Sequence, residues 1–191
     1  HKFPESANFN KVKITIAGGA KPQYLRYFGK LKSLSNQIAQ VTAHLDPADR
    51  VSISWIGDQT PQALEELYNA NDMCIAAADN EPFGRTPVEA MSAGATVIGR
   101  TNCQSTREIL SEAPYPIGIL VDSSADAVEK IYDLMADAET LATLQTNAIC
   151  WGRSHYTLER AEKLLLEALE LITERPQVQD SANLLFVQST D

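Results

Sequence analysis

The stretch 80–99, NEPFGRTPVEAMSAGATVIG, decides how this chain is read. A polar turn with Pro82 and Gly84 runs into a helical segment, PVEAMSAG, which gives way at once to an apolar β-type run, ATVIG. Thr86-Pro87-Val88-Glu89 has the form of a capping box, with threonine at the N-cap, proline at the first helical position and glutamate at the third. Gly94 suits the left-handed residue that closes a helix. Capping therefore accounts for Thr86, Pro87 and Glu89 as structure, and leaves Glu81 and Phe83-Gly84 without a structural duty.

Working outward, four further β-rich runs flank this one: VKITIA (12–17), VSISWIG (51–57), MCIAAA (73–78) and IGILVD (117–122), with ATVIG at 95–99. Segments of helical period separate them; QALEELYNA places Leu64, Leu67 and Tyr68 at i, i+3 and i+4. Strands alternating with helices predict an α/β fold, a Rossmann-like, doubly wound parallel sheet of about five strands with flanking helices. The region 22–44 contains Gly29 and a Ser33–Ser35 cluster and predicts a broken helix. Ser124–Ala136 and Glu139–Trp151 read as two helices and Tyr156–Glu174 as a third, strongly amphipathic one. Its stripe of Leu158, Ala161, Leu164, Leu165, Ala168, Leu169 and Ile172 would serve equally to cover the parent sheet or to meet another domain. Arg175-Pro176 ends that helix. Residues 1–175 are then one domain and 176–191 a polar tail.

The charge balance limits the ligands. With 16 Lys+Arg against 25 Asp+Glu, the 191-residue chain has a formal net charge of -9, without a basic block, so no nucleic-acid partner is expected. Three cysteines without metal spacing and three scattered histidines give no metal site. An odd cysteine count in an apolar context fits a reducing compartment, and Cys74 reads as a buried thiol.

The helix opening at 86 follows the strand 73–78, so its first-turn N–H groups lie at the carboxyl edge of the sheet, where open α/β folds bind ligands. That end of a helix favours an anion, phosphate above all. Glu81 and Glu89 repel phosphate but accept from sugar hydroxyls, so both together suit a ligand that is anionic and rich in hydroxyls, such as a nucleotide sugar. The loop 99–110 offers Arg100, Thr101, Asn102, Thr106 and Arg107 at the same edge, with Ser105 or Thr106 as helix cap. Each arginine there either pairs with phosphate or is simply solvated. The loop Ala17–Pro22 supplies Gly18-Gly19 as a tight turn.

These residues resemble a known family. The order ITIAGG, VSISWIGD, LEELYNANDMCIAAADNEPFGRTPVEAMSAGATVIGRTN, STREIL, GILVD is similar to the C-terminal, donor-binding half of GT-B-fold retaining glycosyltransferases of family 4, the glycosyl transferases group 1, from about Val12 to about Leu166. Its core is E-P-F-G-x-x-x-x-E-A-M-x-x-G, with the two glutamates eight positions apart.

The resemblance implies roles. Glu81, the one catalytic candidate, would accept from donor-sugar hydroxyls. Pro82, Phe83, Gly84, Arg85 and Thr86 would form the wall whose backbone N–H groups meet sugar or phosphate, and Glu89 would take the ribose hydroxyls. Gly18 and Gly19 match a glycine turn of the family, and the loop of Thr101 and Asn102 lies near the diphosphate. The donor is a substrate, so neither cofactor nor metal is implied.

The sequence departs from the family at Cys103-Gln104-Ser105, where a Gly-Gly pair is usual, and at Ala77-Ala78, where Pro-Ser is usual. The resemblance also implies a further βα unit upstream of ITIAGG, with an arginine and a lysine for the diphosphate, and an N-terminal acceptor-binding domain. The chain is expected to be a fragment without them. Two functions follow as expectations: the donor half of a hexosyltransferase, or a non-catalytic glycosyltransferase-like module for interaction or regulation. A nucleotide-sugar epimerase of the same fold class fits the Glu81/Glu89 block less well. A cytoplasmic location is expected, with any attachment to the inner membrane face made through the absent half.

Overall fold

A computed structural model describes residues 12–19, 22–44 and 51–173. The chain forms two compact units, His1–Arg153 and Ser154–Asp191. In order, the elements are β1 (Lys13–Ala17), a 3-10 turn (Pro22–Tyr24), α1 (Leu25–Val41), β2 (Ser52–Gly57), α2 (Pro61–Asn69), β3 (Met73–Ala76), α3 (Arg85–Ala93), β4 (Thr96–Arg100), α4 (Gln104–Glu112), β5 (Gly118–Val121), α5 (Ser124–Ala136), α6 (Ala138–His155) and α7 (Leu158–Thr173). Every predicted strand is present within a residue or two at each end, and all pairings are parallel. The proposed end of α7 at Arg175-Pro176 and the tail 176–191 lie outside the described residues.

The strands do not form one continuous ladder. β1 pairs with β2, β3 with β4 and β4 with β5, giving a two-stranded and a three-stranded sheet. The core follows the second. β4 is paired on both sides, and Thr96, Val97, Ile98 and Gly99 are all buried. Ala90 and Met91 of α3, Ile109 and Leu110 of α4, and Ile117 before β5 are buried as well. Each large apolar side chain buried there contributes about 1.5–3 kcal/mol. Thr96 is the exception, because its buried hydroxyl has no hydrogen-bond partner among the described residues.

The first half is looser. α1 buries no residue, and Tyr24, Leu25, Tyr27, Leu34 and Val41 are exposed. It is held to β2 chiefly through Phe28, edge-on to Trp55 at 5.0 Å, and through the Trp55 indole N–H, which donates to Ser35 Oγ at 3.2 Å. The expected break does not occur: α1 runs uninterrupted from 25 to 41. Gly29 has open space around it, and a helical glycine costs only about 1 kcal/mol relative to alanine.

The largest correction concerns α3. It begins at Arg85, not after a threonine cap; its N-cap is Gly84, which makes no side-chain bond. Thr86 and Pro87 are therefore the second and third helical residues, and Glu89 lies beyond the capping position. Gly84 takes φ +89°, a left-handed conformation open to glycine at little cost, and a Cβ there would come within 2.7 Å of Ile109 Cδ1. At the other end Gly94 closes the helix as expected, with φ +98° and the Ala95 N–H donating to the Ala90 carbonyl at 3.0 Å. Neither Ser105 nor Thr106 caps α4: Cys103 holds that position, and both hydroxyl residues are buried.

In the second unit, α7 exposes Leu158, Leu164, Leu165, Leu166 and Leu169. No helix among the described residues is long and apolar enough to cross a membrane.

Candidate functional site

Two of the three sequence-flagged loops meet at the carboxyl edge of β3 and β4. The loop 77–84 leaves β3, the loop 101–103 leaves β4, and side chains join them. Asn102 Nδ2 donates to Asp79 Oδ1 at 3.2 Å, and Arg100 Nη1 pairs with the same oxygen at 2.6 Å. The buried Cys103 thiol accepts from the Thr106 hydroxyl at 3.4 Å and lies 3.6 Å from Ser105 Oγ. Burial alone would raise that thiol, but bonds from Thr106, Ser105 and Glu81 outweigh it and lower its pKa below the ordinary cysteine value.

Within this frame Glu81 is half-buried, and among the described residues no hydrogen bond or ion pair engages its carboxylate. Pro82 and Phe83 are exposed, and Gly84 is buried beneath them. α3 starts at this point with the N–H groups of Arg85 and Thr86 free of intrahelical partners, since Pro87 has none and Val88 N–H donates to the Gly84 carbonyl at 3.4 Å. Glu89, also half-buried, accepts from Arg85 Nη2 at 3.0 Å. The Arg85 side chain is 81% exposed, so this ion pair is worth at most about 1 kcal/mol and exchanges readily.

Tyr68 is the site residue that sequence reasoning missed. Helical periodicity marks it as a packing residue of α2, and only the packing of α2 on α3 brings it within the field of the Glu89 charge. Burial, first, and the nearby Cys74 and Glu89 push its pKa up to about 12.

The remaining flagged residues are engaged elsewhere. Thr101 Oγ1 donates to Asp122 Oδ1 at 2.6 Å, and the Thr101 carbonyl accepts from Arg107 Nη1 at 3.1 Å. Gly18 and Gly19 end β1, in the other sheet. The Gly18 N–H donates to the Gly57 carbonyl at 2.7 Å and the Gly19 N–H to Asp58 Oδ1 at 2.5 Å. A side chain at Gly19 would collide with that carboxylate. Among the described residues no three His, Cys, Asp or Glu side chains gather as metal ligands. A shallow groove along α7, lined by Glu159, Glu162, Lys163, Leu166, Glu167 and Glu170, is one face of a single helix and encloses nothing.

A parallel α/β domain with two carboxylates and the start of a helix at one sheet edge defines the class, a GT-B-type Rossmann-like domain. Comparison with known proteins gives the family. The model for glycosyl transferases group 1 matches residues 2–151, and the chain belongs to that family. The lipopolysaccharide core biosynthesis mannosyltransferase LpsB of Rhizobium meliloti (strain 1021) is 25% identical over 159 residues, covering 81% of this chain and 41% of LpsB.

Among solved structures, Anabaena Alr3699/HepE in complex with UDP superposes with a TM-score of 0.70 at 20% identity, over 84% of this chain and 41% of HepE. The C-terminal domain of the glycosyl transferase group 1 protein LpcC from Francisella tularensis superposes at 0.60 with 24% identity, over 75% of this chain and 69% of that domain. The chain thus spans about two fifths of LpsB and HepE.

Proposed function

We propose that this chain is the donor-binding part of a glycosyltransferase that takes a hexosyl group from a nucleoside-diphosphate sugar and transfers it with retention. The observation that carries the reading is the half-buried Glu81 carboxylate, which no group among the described residues engages, in the loop between β3 and the start of α3. A carboxylate in that position supplies acceptors for sugar hydroxyls, and the Arg85 and Thr86 N–H groups supply donors for a phosphate oxygen. Arg85 and Arg100 lie in exposed ion pairs that a diphosphate can exchange at small cost. Charge developing on a departing diphosphate would be stabilised by these groups, with closure of an acceptor-binding domain completing the site. The chain alone is therefore inactive in transfer. No metal is required by this scheme, and a cytoplasmic location fits it.

The test is a thermal-shift panel of UDP, GDP, ADP and their sugars, UDP first because HepE was solved with it. A nucleotide at about 100 times its Kd raises stability by roughly 2.7 kcal/mol. A shift with one base, lost in Glu81→Gln for the sugar-bearing form, supports the reading.

The alternative, a non-catalytic module, is favoured by one feature: Gly19 N–H, Arg85 and Arg100 are all already bound to carboxylates. It predicts no shift with any nucleotide.

A further inference from the structure

Charge is spread unevenly along the chain. Between Glu5 and Asp46 there is no acidic residue, but there are six basic ones, Lys11, Lys13, Lys21, Arg26, Lys30 and Lys32, in a chain of net charge -9. Three of them, Arg26, Lys30 and Lys32, lie on α1. The elements packed most closely on α1, the 3-10 turn Pro22–Tyr24 and β2, contain no charged residue, so neither offsets these cations.

The same helix exposes large apolar residues. Tyr27, Leu34 and Val41 recur every seven residues, a spacing only about 20° short of two full turns, so they form one stripe along α1. Phe28, Leu31, Ser35 and Ile38 are half-buried, and Phe28 and Ser35 meet Trp55 of β2, so the stripe borders the packed face on one side. Lys30 stands three residues after Tyr27 and four before Leu34, and Arg26 four before Lys30, which sets both cations along the outer side. Tyr24 and Leu25 are exposed at the N-terminal end.

An apolar stripe with a cationic edge and no carboxylate suits a helix lying in the plane of an anionic lipid surface. Aliphatic side chains enter the acyl boundary, tyrosines sit among the headgroups, and lysine and arginine reach out to the phosphates. α7 is the contrast: it exposes Leu158, Leu164, Leu165, Leu166 and Leu169, but with Glu159, Glu162, Glu167 and Glu170 on the same helix. A nucleic acid would use the cations of α1 and leave the stripe in water.

We propose that α1 is a docking face for an anionic lipid surface, with Tyr27, Leu34 and Val41 entering it and Arg26 and Lys30 pairing with lipid phosphates. The acidic remainder of the chain opposes this only from within about 8 Å, the screening length at physiological salt. Such docking is independent of donor binding and places a lipid contact in this chain itself.

The test is co-sedimentation of the full chain with phosphatidylcholine vesicles, with and without about one third phosphatidylglycerol. Wild type should bind the phosphatidylglycerol vesicles at least about tenfold more strongly, and lose most of that binding as salt rises from about 0.05 to 0.5 M. Arg26→Glu with Lys30→Glu should lower partitioning at least about tenfold, since each cation near such a surface is worth roughly fivefold. Tyr27→Ser with Leu34→Ser should lower it by a similar factor, and Leu165→Ser on α7 should leave it unchanged. Should the serine pair lower the melting point, the charge-reversed pair decides alone.

No binding to phosphatidylglycerol vesicles overturns the proposal. So does equal binding to both kinds of vesicle, the mark of general stickiness, or binding that survives the charge reversal and is lost in Leu165→Ser. Binding to a single-stranded oligonucleotide as tight as to vesicles, and untouched by the serine pair, overturns it in favour of a polyanion site.

Discussion

At the scale of single residues, Glu81 and Glu89 carry the same charge in different circumstances. Glu81 has no partner to lose among the described residues, so Glu81→Gln should leave unfolding stability within about 0.5 kcal/mol of wild type in urea titration while abolishing sugar-dependent stabilisation. Glu89→Gln should also cost under about 1 kcal/mol, because the exposed Arg85 pair is weak and no cap is broken.

Gly84→Ala is the opposite case. With φ +89° and Ile109 Cδ1 2.7 Å from the new methyl, it should destabilise by about 1–2 kcal/mol or more. Thr96→Val removes a buried hydroxyl without a partner at nearly constant shape, and should be neutral or stabilising by about 1 kcal/mol.

At the scale of elements, the strands were legible because β-rich runs bounded by turn residues have few alternatives, while the opening of α3 was not. Thr86-Pro87-Val88-Glu89 satisfies every local rule for a capping box, yet Gly84 starts the helix sooner, and only the side chain of Ile109 from α4 shows why that position must lack a Cβ. Tyr68 was hidden for the same reason: its polar end matters only once α2 lies on α3.

That contact has a pH signature. Burial lifts the Cys74 thiol from its ordinary 9 to about 11, and Tyr68 rises from 10 to about 12. Between these values the unfolded chain releases protons that the folded chain retains, so stability is full below pH 9 and falls as pH rises. Cys74→Ala should flatten the loss between pH 9 and 11, and Tyr68→Phe the loss between 10 and 12, both read from urea midpoints against pH.

At the scale of the whole molecule, stability is unevenly spread. β4 lies between two strands and packs against α3 and α4, whereas α1 buries nothing and the β1–β2 pair has no third strand among the described residues. Hydrogen exchange should therefore find the amides of 97–99 among the slowest and those of α1 opening at a much lower free energy. Equal protection in the two halves would contradict this ordering. The alternation of strands and helices predicted the α/β class correctly, but the separation into a two-stranded and a three-stranded ladder has no local signal, since pairing between strands distant in sequence is decided by neighbours that hydropathy does not name.

The Cys103 thiol, sealed beneath the Glu81 loop, also gives the molecule an internal clock. Burial keeps alkylating reagents away from it while the site is closed, so it reacts only when uncovered. The rate at which Cys103 is labelled, distinguished by peptide mass from that of the exposed Cys150, therefore counts how often the α4 N-terminus parts from the loop. A ligand that bridges Glu81 and α3 should slow that count, reporting occupancy through a residue it never touches.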